Sequence, residues 1–151
     1  MHMTTLTAER APAPTASRAR AGLRDPVQQA FVLLWIGFTV APIVFGLDKF
    51  FDVLVDWKIY LAPEFNDLIP GNAHQAMLAV GVVEILAGVL VFLRPRVGGY
   101  VVAAWLAAII ANLLLQADFY DIALRDFGLL LAALTLARLA TVFPAPLAKR
   151  A

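Results

Sequence analysis

Cysteine is absent from the 151 residues, and charged residues make up only 15% of them. The first absence excludes disulfides, thiol catalysis, iron–sulfur clusters and cysteine-based zinc sites within this chain. The second, with a formal net charge of +1, excludes a nucleic-acid binder with a broad basic face. Histidine is scarce as well. His2 and His74 are the only two, and His2 lies in a polar tail, so two axial haem ligands inside one membrane domain are not available. No glycine-rich phosphate loop, dinucleotide fingerprint or Ser/His/Asp set is present, and nothing resembles a metal site. What fills the chain instead is apolar: 62% of residues are hydrophobic and the mean hydropathy is +0.80. An ordinary soluble domain is nearer half apolar and a quarter charged. The composition therefore excludes a water-soluble globule and a disordered chain, and leaves a small integral membrane protein.

A transmembrane helix takes about 20 mostly apolar residues to cross about 30 Å of hydrocarbon. Four runs qualify: 27–47, 73–93, 97–116 and 122–142. They are too long and too continuously apolar for barrel strands, which alternate over about 10 residues, so the fold class expected is all-α. Segments 1–26, 94–96 and 138–151 carry nine cations against two acids. The opposite loops carry Lys49, Lys58 and Arg125 against eight acids, and Glu84 completes the eleven. Basic loops stay in the cytoplasm, which predicts a multi-pass membrane protein with both termini cytoplasmic. Residues 1–26, rich in Ala, Pro, Thr and Arg, read as a disordered cytoplasmic tail, and 144–151 as a second tail. The first run is longer than a signal-peptide core of about 7–15 residues, so it is expected to stay in the protein.

Pro42 should kink the first span. Beyond it, Asp48, Asp52 and Asp56 recur every four residues, which on a helix makes one acidic stripe. The first helix is thus expected to continue past the bilayer or bend onto its surface, with Trp57 and Tyr60 in the interfacial aromatic belt. Pro63 stops it, 64–69 read as a short surface helix, and Asn72 is the N-cap of the second span. Residues 48–72 together form an extracytoplasmic cap. Short connections at Arg94-Pro95-Arg96 and 118–121 make antiparallel neighbours, and Ala103, Ala107 and Ala111 offer a small-residue packing face. The domain 27–143 is expected to be a four-helix bundle under that cap.

Ionisable groups inside a membrane are costly and point to function. Glu84 stands 11 residues into the second span, about 16 Å along at 1.5 Å per residue. Gly81, Glu84 and Gly88 share one face, so Glu84 should point into the bundle, either protonated or paired with a cation. Asn112 and Gln116 share a face in the third span, Arg125 and Asp126 open the fourth, and Asp48 and Lys49 end the first. If these converge, they line a polar pocket in the outer half of the bundle with Glu84 at its floor. The alternative is local: Lys49 snorkels, Arg125 pairs with Asp121 or Asp126, and the amides bridge helices. His74, at the outer mouth of the second span, reads as a donor to a quinone carbonyl, a pH sensor or a solvated interface residue.

Gly46-Leu47-Asp48-Lys49-Phe50, Glu84-Ile85-Leu86-Ala87-Gly88 with Arg94-Pro95-Arg96, and Arg125-Asp126-Phe127-Gly128 resemble the DoxX family over residues 28–140, four-span spacing included. That family comprises small bacterial four-helix membrane proteins linked to the small subunit of thiosulfate:quinone oxidoreductase. The resemblance implies an accessory or anchor subunit of the bacterial plasma membrane, beside a redox enzyme or the quinone pool, with Lys49, Glu84, Arg125 and Asp126 at the family's polar positions. No independent catalytic activity and no covalently bound cofactor are expected. The expected ligand is a quinone, and the expected partners are membrane lipid and a redox protein or further copies of the chain. The rival readings are a structural scaffold without a ligand and a small transporter or permeability factor.

Overall fold

The computed structural model describes residues 25–60 and 73–143. Four long helices and one short 3₁₀ turn account for their regular structure, with no strand among the described residues. Helix α1 spans Pro26–Asp48, the 3₁₀ turn Trp57–Tyr60, α2 Ala73–Leu93, α3 Pro95–Gln116 and α4 Tyr120–Leu139. The termini follow from local chemistry. Asp25 caps α1 by accepting from the Val27 amide at 3.0 Å, and Pro26 stands where a missing N–H matters least. Arg94 alone separates α2 from α3, at φ −138° and ψ 73°, outside the helical region that the following Pro95 disfavours. Ala117 ends α3 in the left-handed region, with φ of 58°.

Three of the helices, over Pro26–Asp48, His74–Leu93 and Pro95–Gln116, are long and apolar enough to cross a membrane. Their large apolar side chains face outward in numbers no aqueous surface tolerates, Leu33 and Leu86 among them. The chain is a membrane protein, and its apolar helices suit contact with lipid. Helix α4 carries Asp121, Arg125, Asp126 and Arg138 within 20 residues and is less apolar.

The packing runs in chain order, α1 on α2, α2 on α3 and α3 on α4. The core cluster threads through all four helices, with Phe31, Val91, Ala133 and Leu136 nearly or wholly inaccessible. Trp35 lies on Phe92 with ring centroids 5.4 Å apart, and its indole donates to the Phe92 carbonyl at 3.3 Å.

Glycine sets how near α1 and α2 come. A Cβ on Gly46 would stand 2.6 Å from the Gly81 carbonyl oxygen, and one on Gly81 would stand 2.7 Å from that of Gly46. The two backbones touch there. The alanine face expected on α3 is different: Ala103 is buried, but Ala107 and Ala111 are exposed. The α3–α4 contact runs instead through Gly99, where a Cβ would stand 2.9 Å from the Ala133 carbonyl oxygen.

The first helix does not continue as an acidic stripe. It ends at Asp48, and Asp52 adopts a φ of 50°, which no continuing helix contains. The reason lies in Asp48, whose backbone and side chain both draw the following amides back towards it. The predicted surface helix at 64–69, the Pro63 stop, the Asn72 cap and the two tails lie outside the described residues.

Candidate functional site

Lys49 closes α1 and Glu84 stands in the middle of α2, 35 residues later. Gly81 admits the Lys49 side chain, since a Cβ there would sit 3.2 Å from Lys49 Cβ. From that point Lys49 reaches one turn further along α2, and its Nζ donates to Glu84 Oε2 at 2.6 Å. Lys49 is 2% exposed and Glu84 8%. Of the two states expected for Glu84, the geometry is that of the ion pair. Gly-x-x-Lys on α1 and Gly-x-x-Glu on α2 are thus two halves of one device. The glycines bring the backbones into contact, and the charges one turn away can then meet.

Asp48 builds the roof. Its Oδ1 accepts from the amides of Val53 at 3.2 Å and Leu54 at 3.1 Å, and its Oδ2 from Trp57 Nε1 at 2.7 Å. These bonds fold the chain back so that the Trp57 ring covers the ammonium, with Lys49 Nζ 3.7 Å from the ring centroid. A cation over an indole face is favourable, the more so when desolvated. Trp57 therefore turns its N–H and its ring face inward, instead of serving in an aromatic belt.

Tyr60 also packs internally, against Trp57 and, at 5.0 Å between centroids, against Phe119. Its carbonyl accepts from Asn112 Nδ2 at 2.6 Å. Asn112 thereby ties α3 to the segment after α1.

Two further polar groups bear on Glu84: the Trp105 indole of α3, as a hydrogen-bond donor directed at it, and the Asp126 carboxylate of α4, through its charge. Trp105 Nε1 is buried and faces Glu84 without a well-formed hydrogen bond, and Gln116 Nε2 is buried with no hydrogen-bond partner among the described residues. Asp126 is 4% exposed and is held by Arg125, whose Nε donates to Oδ1 at 3.0 Å. The Arg125 side chain is 66% exposed, so it clasps Asp126 from outside and does not enter the centre.

Of the eight residues expected at the site, Lys49, Glu84 and Asp48 form one connected cluster, and Asp126 stands within its electrostatic reach. Asn112 joins it indirectly through Tyr60 and Trp57. Arg125 and His74 are exposed, and the buried Gln116 amide nitrogen bonds to none of the cluster. The convergent pocket expected from the sequence is, at Lys49 and Glu84, a direct contact. The sequence places Trp57 in the aromatic belt, not at the site, and does not single out Trp105. A tryptophan within nine residues of an Asp-Lys pair is a faint signal, and nothing local announces Trp105.

Chemically, one ammonium and three carboxylates stand buried together, and the external Arg125 guanidinium balances one of them, Asp126. No group of three His or acidic side chains among the described residues could hold a metal ion. Comparison with protein families, curated proteins and solved structures finds no match to this chain.

Proposed function

We propose that this chain is a DoxX-like accessory or anchor subunit of a redox enzyme or the quinone pool, binding a quinone at the polar centre between α1, α2, α3 and α4. The observation that carries this reading is the buried Lys49–Glu84 pair beside the Trp105 indole N–H, which faces Glu84 without a well-formed hydrogen bond. Isolated buried donors are costly, and a quinone carbonyl is an acceptor that dissolves in the bilayer and suits Trp105 Nε1. Lys49 supplies positive potential for an anionic state of the ligand, and electrons come from a partner protein. In this reading α4 is a fourth span of a bundle in the bacterial plasma membrane. Its 20 residues measure about 30 Å, and its charges cluster near its ends, leaving 127–137 uncharged. Residues 48–72 cap the extracytoplasmic side, and both termini are cytoplasmic.

The test is uptake of a short-chain quinone by the protein in lipid nanodiscs, measured against empty discs. Saturable uptake is expected, weakened about tenfold or more in Glu84→Gln, as for loss of a hydrogen bond to a charged group. Uptake equal to that of empty discs overturns the ligand. A second reading, a structural scaffold, draws on the way Lys49 and Glu84 satisfy each other. It is distinguished by a stoichiometric protein partner co-purifying with a bundle that takes up no quinone.

A further inference from the structure

The turn after α1 has two properties that are hard to reconcile with water. Its side chains are apolar and turned outward: Phe51 is 72% exposed, Val53 78% and Leu54 61%. Its backbone is satisfied from within. The amide of Lys49 donates to Phe45, Phe50 to Leu47, and both Phe51 and Asp52 to the Asp48 carbonyl. The next two amides, of Val53 and Leu54, donate to the Asp48 carboxylate. Six consecutive amides at the end of a helix thus need no water. In an aqueous loop such self-sufficiency is unnecessary, because solvent satisfies exposed amides. In hydrocarbon it is obligatory.

The same residues line an open groove of about 290 Å³, bounded by Val44, Leu47, Asp48, Phe51, Val53 and Leu54. Val44 and Leu47 are about half exposed and belong to the outward surface of α1, so the groove continues the face that this helix presents to lipid. We propose that the turn 49–54 lies within the bilayer, at the boundary between acyl chains and headgroups, and that the groove seats the acyl chain of a membrane lipid. Asp52 limits how deep it lies, since a carboxylate is strongly disfavoured in the hydrocarbon centre. Asp48 couples the two sides of the turn. The carboxylate that satisfies the turn's amides also holds Trp57 over Lys49, so a seated lipid steadies the cover of the buried charge.

Because the chain has no cysteine, single spin labels can be placed on it without background. Phe51→Cys, Val53→Cys and Leu54→Cys, each at an exposed position, are labelled in the full chain in phosphatidylcholine vesicles. Collision rates with oxygen and with a water-soluble nickel chelate are then read by power saturation. Leu33→Cys, outward on α1, is the hydrocarbon reference, and His74→Cys, exposed at the start of α2, is the surface reference. All three turn labels should read between the two references, with oxygen-to-nickel ratios below that at Leu33→Cys and several-fold above that at His74→Cys. Nickel accessibility equal to the surface reference overturns the proposal in favour of an aqueous loop. Immobilised spectra with low collision rates for both reagents overturn it in favour of a second protein copy on the groove.

Discussion

At the scale of single residues, the centre is an ion pair with almost no water around it. Removing one partner of such a pair leaves the other buried and uncompensated, which typically costs about 3–5 kcal/mol, whereas replacing both by apolar groups is often neutral. Lys49→Met should therefore destabilise the protein by about 3–5 kcal/mol in denaturant unfolding from detergent micelles. Lys49→Met combined with Glu84→Leu should recover most of that loss. Additive losses in the double variant would show that the two side chains contribute independently, contrary to the 2.6 Å contact. Trp57 makes the arrangement asymmetric. Its ring satisfies the cation and its N–H satisfies a neighbouring acid, so one residue serves both members of the Asp48-Lys49 dipeptide.

At the scale of elements, the contact of α1 with α2 depends on two missing side chains. Gly81→Ala puts a methyl group 2.7 Å from the Gly46 carbonyl oxygen, and overpacking of this kind costs about 1–3 kcal/mol. Gly37, in the same α1, has nothing within 4 Å of its added Cβ. Gly37→Ala should consequently leave stability unchanged or raise it, through helix propensity of up to about 1 kcal/mol. Equal losses for the two substitutions, measured by the same unfolding assay, would refute the close approach. The helices themselves were legible in the sequence, because length and hydropathy are local: the run 73–93 is α2 to the residue, and 27–47 is α1 less one residue at each end. The pairing of Glu84 with a cation was open, and Lys49 was within the expected cluster. The end of α1 was not legible. Asp48, Asp52 and Asp56 keep helical spacing, but the Asp48 carboxylate bonds to residues up to nine positions away, and no periodicity encodes that return. Ala107 and Ala111 misled for a related reason, since small residues at the right spacing do not reveal which side of a helix faces its neighbour.

At the scale of the whole molecule, parity of spans is the open quantity that one measurement decides. Three crossings put the two ends of the chain on opposite sides of the membrane, and four put them on the same side. Reporter fusions at each terminus should give the same side, cytoplasmic, consistent with the nine basic residues of the end segments and the 94–96 turn. Opposite sides would mean that α4 lies along the surface, and the Asp126 contribution to the centre would then need another explanation. The single-residue elbow at Arg94 bears on how such a molecule is made. With no slack between them, α2 and α3 have no independent route into lipid during synthesis and must enter together as one hairpin. Glu84 is carried in on that hairpin after α1 has emerged from the ribosome, so its counter-ion has been synthesised before the acid needs it. Order along the gene thus becomes order of neutralisation.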